Sequence, residues 1–200
     1  MRLSALPPRH LAALSLLLGL PLLAHAVPVT VQLRGPSGQP LVGAALAVEV
    51  KGRTGKASAA KAEMGQRERQ FTPQLLVVQT GTAVSFPNFD TVRHHVYSFS
   101  PIKVIDIKLY SGTPAEPIVF DKPGVATLGC NIHDRMSAHI VVVDTPTFGR
   151  TDDKGQVAFD LPAGEHVVKA WHAGQKSPNL QSVKLDVATG GVTSVLTLAE

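Results

Sequence analysis

Cys130, His133 and Met136 recur at three-residue intervals in the string Cys130-x-x-His133-x-x-Met136. A thiolate, an imidazole and a thioether form a soft donor set, suited to copper and poorly suited to magnesium or calcium. Two imidazoles and a thiolate in a trigonal plane, with a weak axial thioether, make the blue-copper geometry. One short loop cannot supply donors on every side of an ion, so a second histidine has to come from elsewhere in the chain. The stretch Thr91-Val92-Arg93-His94-His95-Val96-Tyr97 offers two candidates. Side chains alternate faces along a strand, so only one of the adjacent pair can point inward. Val92, His94 and Val96 share a parity, which favours His94 as ligand, with His95 the alternative or an outer hydrogen-bonding partner.

The elements that must position these donors read as strands. The Cys loop lies between apolar runs at 125–128 and 137–143, and nearly everything beyond residue 26 is short apolar or alternating runs cut by Gly, Pro and Asp. About a dozen such runs exceed the strand count of one ordinary sandwich. Residues 51–68, rich in Lys, Arg, Ala and Gly, are expected to be a linker or long surface loop, in which 57–64 is able to form a short helix. Met64 falls in that linker and is set aside as a ligand. His139, His166 and His172 have no donor partners in sequence and are read as structural or solvated.

Arg2 and Arg9, an apolar run over 11–23 and the triplet Ala24-His25-Ala26 predict a secretory signal peptide over 1–26. The run is interrupted by Pro21 and falls short of the roughly 20 residues that span a bilayer. The expected product is exported or periplasmic, with no membrane span after cleavage. Nineteen Lys and Arg against 15 Asp and Glu give a formal charge of +4, reduced to +2 when Arg2 and Arg9 are removed. Without a basic stripe or an aromatic platform, nucleic-acid binding is not expected. A single Cys excludes an internal disulfide, a four-cysteine zinc site and a cysteine-ligated iron-sulfur cluster. Asp152-Asp153-Lys154-Gly155 lacks the alternating donors of a calcium loop and reads as a turn. Gly52-Arg53-Thr54-Gly55-Lys56 is followed by Ala57, where a phosphate loop needs Ser or Thr. There is no G-x-S-x-G or H-E-x-x-H string, so hydrolase readings lack parts.

Residues 79–88, then His94-x-Val96, then Phe120-Asp121-Lys122-Pro123-Gly124 and the Cys-His-Met loop, together resemble the plastocyanin and amicyanin class of cupredoxins. The string 86–100 with the Cys loop is also similar to exported proteins named methylamine utilisation proteins. Residues 35–44, with Thr151-Asp152-Asp153-Lys154-Gly155 and Leu161-Pro162-Ala163-Gly164, resemble two halves of a carboxypeptidase-regulatory-like, transthyretin-like β-sandwich. These resemblances imply an all-β chain: a cupredoxin-like Greek-key sandwich over 69–146, inserted into an accessory sandwich built from 27–50 and 147–200. They also imply one type 1 copper, with His94, Cys130 and His133 in the plane and Met136 axial. Two positions depart from the pattern. His95 stands where Asn usually follows the first ligand, and Arg135 stands where the related exported proteins often carry Trp.

The expected function is one-electron transfer by an exported blue copper protein that is not itself an enzyme. Its expected partner is another redox protein, whether dehydrogenase, cytochrome or oxidase. The alternative is a copper-delivery module or a metal-free structural sandwich.

Overall fold

The computed structural model describes residues 26–53, 55–190 and 192–199, so the expected signal peptide lies outside it except for Ala26. Among the described residues every regular element is a strand. The chain opens with β1 (Ala26–Arg34) and β2 (Ala45–Glu49). Ten strands follow: β3 (Lys61–Glu63), β4 (Gly65–Arg67), β5 (Gln70–Thr72), β6 (Leu75–Gln79), β7 (Thr82–Ser85), β8 (His94–Ser100), β9 (Lys103–Tyr110), β10 (Ile118–Phe120), β11 (Gly124–Cys130) and β12 (Ser137–Val143). The last five are β13 (Phe148–Arg150), β14 (Gln156–Pro162), β15 (Gly164–Trp171), β16 (Gln181–Val187) and β17 (Val192–Thr197).

Strands from the two ends of the chain pair with one another. The order β14-β1-β17 makes one sheet and β13-β2-β15-β16 a second, and Val31, Leu33, Leu46, Val48, Val168 and Leu185 fill the space between them. The middle of the chain forms the five-stranded sheet β6-β12-β11-β8-β9 and the three-stranded sheet β10-β7-β3. Phe86, Val96, Phe120, Leu128, Ile140 and Val142 pack between these two. The chain passes from one sheet to the other between β6 and β7 and between β9 and β10, and β6 runs parallel to β12. These are the crossovers of a Greek-key sandwich, the all-β class expected from the sequence.

The two sandwiches are joined face to face. Ala45, Ala47 and Trp171 of the second sheet pack on Leu75, Val125, Val141 and Val143 of the five-stranded sheet. Along β12, Ala138, Ile140 and Val142 enter the inner core while Val141 and Val143 enter this interface. The unbroken apolar run 140–143 is what a strand covered on both faces requires. Fully burying one such side chain contributes about 1.5–3 kcal/mol. The strand after the Cys loop is therefore held from both sides, which fixes the end of the loop that carries Met136.

The short helix that 57–64 is able to form is absent. Residues 61–63 instead run parallel to β7 as an edge strand, and β4 pairs with β5 as a hairpin. Met64 and Gln66 are fully buried. The expected linker 51–68 thus gives up its residues from Lys61 onward to the central sandwich, because two isolated side chains in a polar stretch have a core to enter.

One interface residue titrates. The rings of His139 and Trp171 lie 4.7 Å apart, and burial holds the His139 imidazole below its ordinary pKa. An unfolded imidazole, with a pKa of about 6.5, therefore binds its proton at higher pH than the folded one. Stability contributed by neutral His139 is full above that value and falls as pH drops toward the folded pKa. Wild-type protein should lose more stability between about pH 7 and pH 5 than the His139→Gln variant, as read from denaturant midpoints. Equal losses would show that the imidazole does not titrate differently in the two states.

Candidate metal centre

β8 begins at His94 and β11 ends at Cys130, and the two strands pair antiparallel with Cys130 opposite Val96. Both strands alternate, so His94, Val96 and Ser98 point into the sandwich together with Leu128 and Cys130. Val92 does not share this face as the parity argument assumed. It precedes the strand and is partly exposed, and the pairing with β9 shifts register between His94 and Val96. Gly129 leaves room for the ring of Tyr97: a Cβ there would lie 2.6 Å from its Cζ, so the ring would have to move.

The loop after Cys130 folds back on itself. The Cys130 N–H donates to the Met136 carbonyl (3.2 Å), and the Met136 N–H donates to the His133 carbonyl (2.9 Å). These bonds bring His133 back over the thiol. The Nδ1 atoms of His94 and His133 lie 3.8 and 3.7 Å from Sγ of Cys130. The candidate ligand atoms of all three residues fall within 4.8 Å of one another. His94 and Cys130 are buried, His133 is half-buried at the edge, and Met136 is buried in the same core as Cys130. His95 turns to the opposite face, where its Nε2 meets Asp106 Oδ1 at 2.7 Å. Of the five residues singled out in the sequence, the structure gathers His94, Cys130 and His133, sets Met136 in their core, and takes His95 away.

The triangle can be tested against a metal. Bonds of about 2.0 Å to imidazole nitrogen and 2.3 Å to thiolate sulfur, at about 120°, separate nitrogen from sulfur by about 3.7 Å. The observed separations fit an ion held in that plane. Zinc sites draw their fourth donor from Cys, His, Asp or Glu, whereas the nearby fourth residue here offers a thioether, which favours copper.

Three residues not singled out in the sequence hold this arrangement. Asp90 accepts from the backbone N–H groups of Glu68 (2.7 Å) and Arg69 (2.9 Å), and its Oδ2 lies 2.8 Å from His94 Nε2. Burial pushes the Asp90 carboxyl up, but the Arg69 N–H, His94 and the Glu68 N–H outweigh it and keep the pKa below the usual value. Asn88 is buried, and its amide donates to the carbonyls of Val92 (2.9 Å) and Tyr110 (3.0 Å). Tyr110 has its hydroxyl pushed up to about 12 by burial, so it stays a neutral donor to the Phe86 carbonyl (2.6 Å). Together they tie the segment before His94 to β9. The signal for Asp90 was its four-residue spacing from His94, which is informative only if the intervening loop turns back.

No family model matches the chain, and no curated protein matches it. Among solved structures, the chain is similar to a purple cupredoxin from Nitrosopumilus maritimus, at 22% identity over 42% of this chain and 99% of that one, with a TM-score of 0.36. It is also similar to amicyanin from Paracoccus versutus, at 16% identity over 48% of this chain and 97% of that one, with a TM-score of 0.38.

Proposed function

We propose that this chain is an exported type 1 copper protein that carries single electrons and performs no reaction of its own. One observation carries the reading: two imidazole nitrogens stand 3.8 and 3.7 Å from a buried thiol, at the separation a trigonal ion needs. When bound, copper supplies a one-electron couple between Cu(II) and Cu(I). The residues supply a frame that does not rearrange between those states. His94 and Cys130 sit on paired strands, and β12 behind the loop is covered on both faces. His133, on the loop and half-buried, is the edge through which an electron leaves for a redox protein partner such as a dehydrogenase, cytochrome or oxidase.

The resemblance of residues 86–100 and the Cys loop to exported methylamine utilisation proteins, read from the sequence alone, supports the proposal of export to the periplasm and carries no substrate with it. The sandwich from the chain ends, with its carboxypeptidase-regulatory-like turns, is proposed as a support stacked on the copper unit through Trp171 and its neighbours.

Voltammetry of the copper-loaded chain tests the reading, and Met136 is the residue to vary. Replacing Met136 with Gln should lower the reduction potential, since a harder oxygen donor favours Cu(II), and Leu should raise it. Both variants should retain copper. Release of the metal with no reversible couple would favour copper delivery over electron transfer.

A further inference from the structure

The hairpin turn between β4 and β5 contains an oddity that leads back to the metal centre. Glu68 and Arg69, consecutive and neither of them glycine, both adopt left-handed backbone conformations, with φ of 53° and 57°. Such pairs in two-residue hairpin turns ordinarily fall to Gly, Asn or Asp, because a Cβ is disfavoured there. The conformation aims two successive N–H groups at one point, a concavity that binds anions. The anion is the Asp90 carboxylate: Glu68 N–H donates to Oδ1 and Arg69 N–H to Oδ2. From the other side the Asp90 N–H donates to Asn88 Oδ1 at 2.9 Å.

The carboxylate is thus held by groups of the protein itself, and its Oδ2 lies 2.8 Å from Nε2 of His94, a residue with no exposed surface. An ionised carboxylate only accepts hydrogen bonds, so Nε2 must be the donor. The proton of neutral His94 therefore resides on Nε2, and the lone pair on Nδ1 faces the Cys130 sulfur. Resting on the copper reading above, we propose that Asp90, cradled by the strained turn at 68–69, is a positioning residue that fixes the His94 tautomer and, through its charge, biases the site toward Cu(II). A carboxylate hydrogen-bonded to the far nitrogen makes an imidazole a more basic ligand and favours the more highly charged ion.

Asp106 provides a matched control. It makes the same type of contact with His95, on the opposite face of β8, and does not touch the three gathered residues.

The test uses the full chain in three steps. In metal-free wild-type protein at mildly alkaline pH, nitrogen NMR of His94 should show the proton on Nε2, whether or not copper is the physiological metal. In copper-loaded protein, Asp90→Asn should weaken Cu(II) binding by about 10–100-fold, with Cu(I) binding weakened less. A tenfold difference between the two oxidation states reads as an upward shift of about 59 mV in a one-electron couple. Asp106→Asn should move the potential by less than half as much. Because losing Asp90 could also unravel the turn, the comparison is repeated with Glu68→Gly and Arg69→Gly, where glycine tolerates the left-handed backbone without the anion. The upward shift should persist there. A proton on Nδ1 of His94, or an Asp90→Asn shift no larger than that of Asp106→Asn, would overturn the proposal. A wild-type chain that develops no copper band would defeat the copper reading instead, and the tautomer would then decide the role of Asp90.

Discussion

Cys130→Ser should abolish the intense visible band expected of the Cu(II)-loaded protein while leaving the metal-free fold intact. The band requires charge transfer from a thiolate, and this is the only cysteine in the chain. The substitution is nearly isosteric, and Cys130 is 4% exposed within the central core. Burying a hydroxyl costs about 1–3 kcal/mol when it lacks a partner. Here imidazole nitrogens stand 3.7 and 3.8 Å from the sulfur, close enough for a small adjustment to provide an acceptor. Melting of the metal-free variant should therefore change modestly, and the absorption spectrum completely. A variant with a band of wild-type strength would show that the sulfur is not a ligand.

The second large effect separates adjacent histidines. His94→Ala should remove the type 1 spectrum and weaken Cu(II) binding by at least the roughly 10–100-fold that loss of an outer partner costs, because here a ligand is lost. His95→Ala should keep the spectrum. His95 faces Asp106 on the outer side of β8, and the Asp106 carboxyl is held below its usual pKa by Lys108 first and by His95 second. Removing that imidazole leaves Asp106 its partner Lys108 at 2.6 Å. The reverse outcome would mean that β8 is displaced by one residue, which exchanges its two faces.

These residues were legible in the sequence to different depths. Cys130, His133 and Met136 could be read together because a single tight loop carries all three, so spacing alone constrains their proximity. His94 could be preferred over His95 because alternation is a property of any strand. The parity of Val92 was a poor guide, since the strand starts only at His94. Asp90 was not legible: its role depends on the turn at 68–69, which has none of the glycine or asparagine that usually marks such turns. The same turn explains the misjudged linker. Three-residue strands such as β3 and β4 leave no periodic pattern, and the burial of Met64 and Gln66 follows from the sheet they meet rather than from their neighbours in sequence. The run 140–143 was read as a strand, but not as one covered on both faces, because that depends on Ala45, Ala47 and Trp171 arriving from the other sandwich.

Titration of the metal-free chain with Cu(II), followed by visible absorption, tests the central claim most directly. The account predicts one intense band that grows to a single equivalent of copper, bleaches on one-electron reduction and returns on reoxidation. A chain that binds Cu(II) without developing that band, or that takes up only zinc, would contradict it.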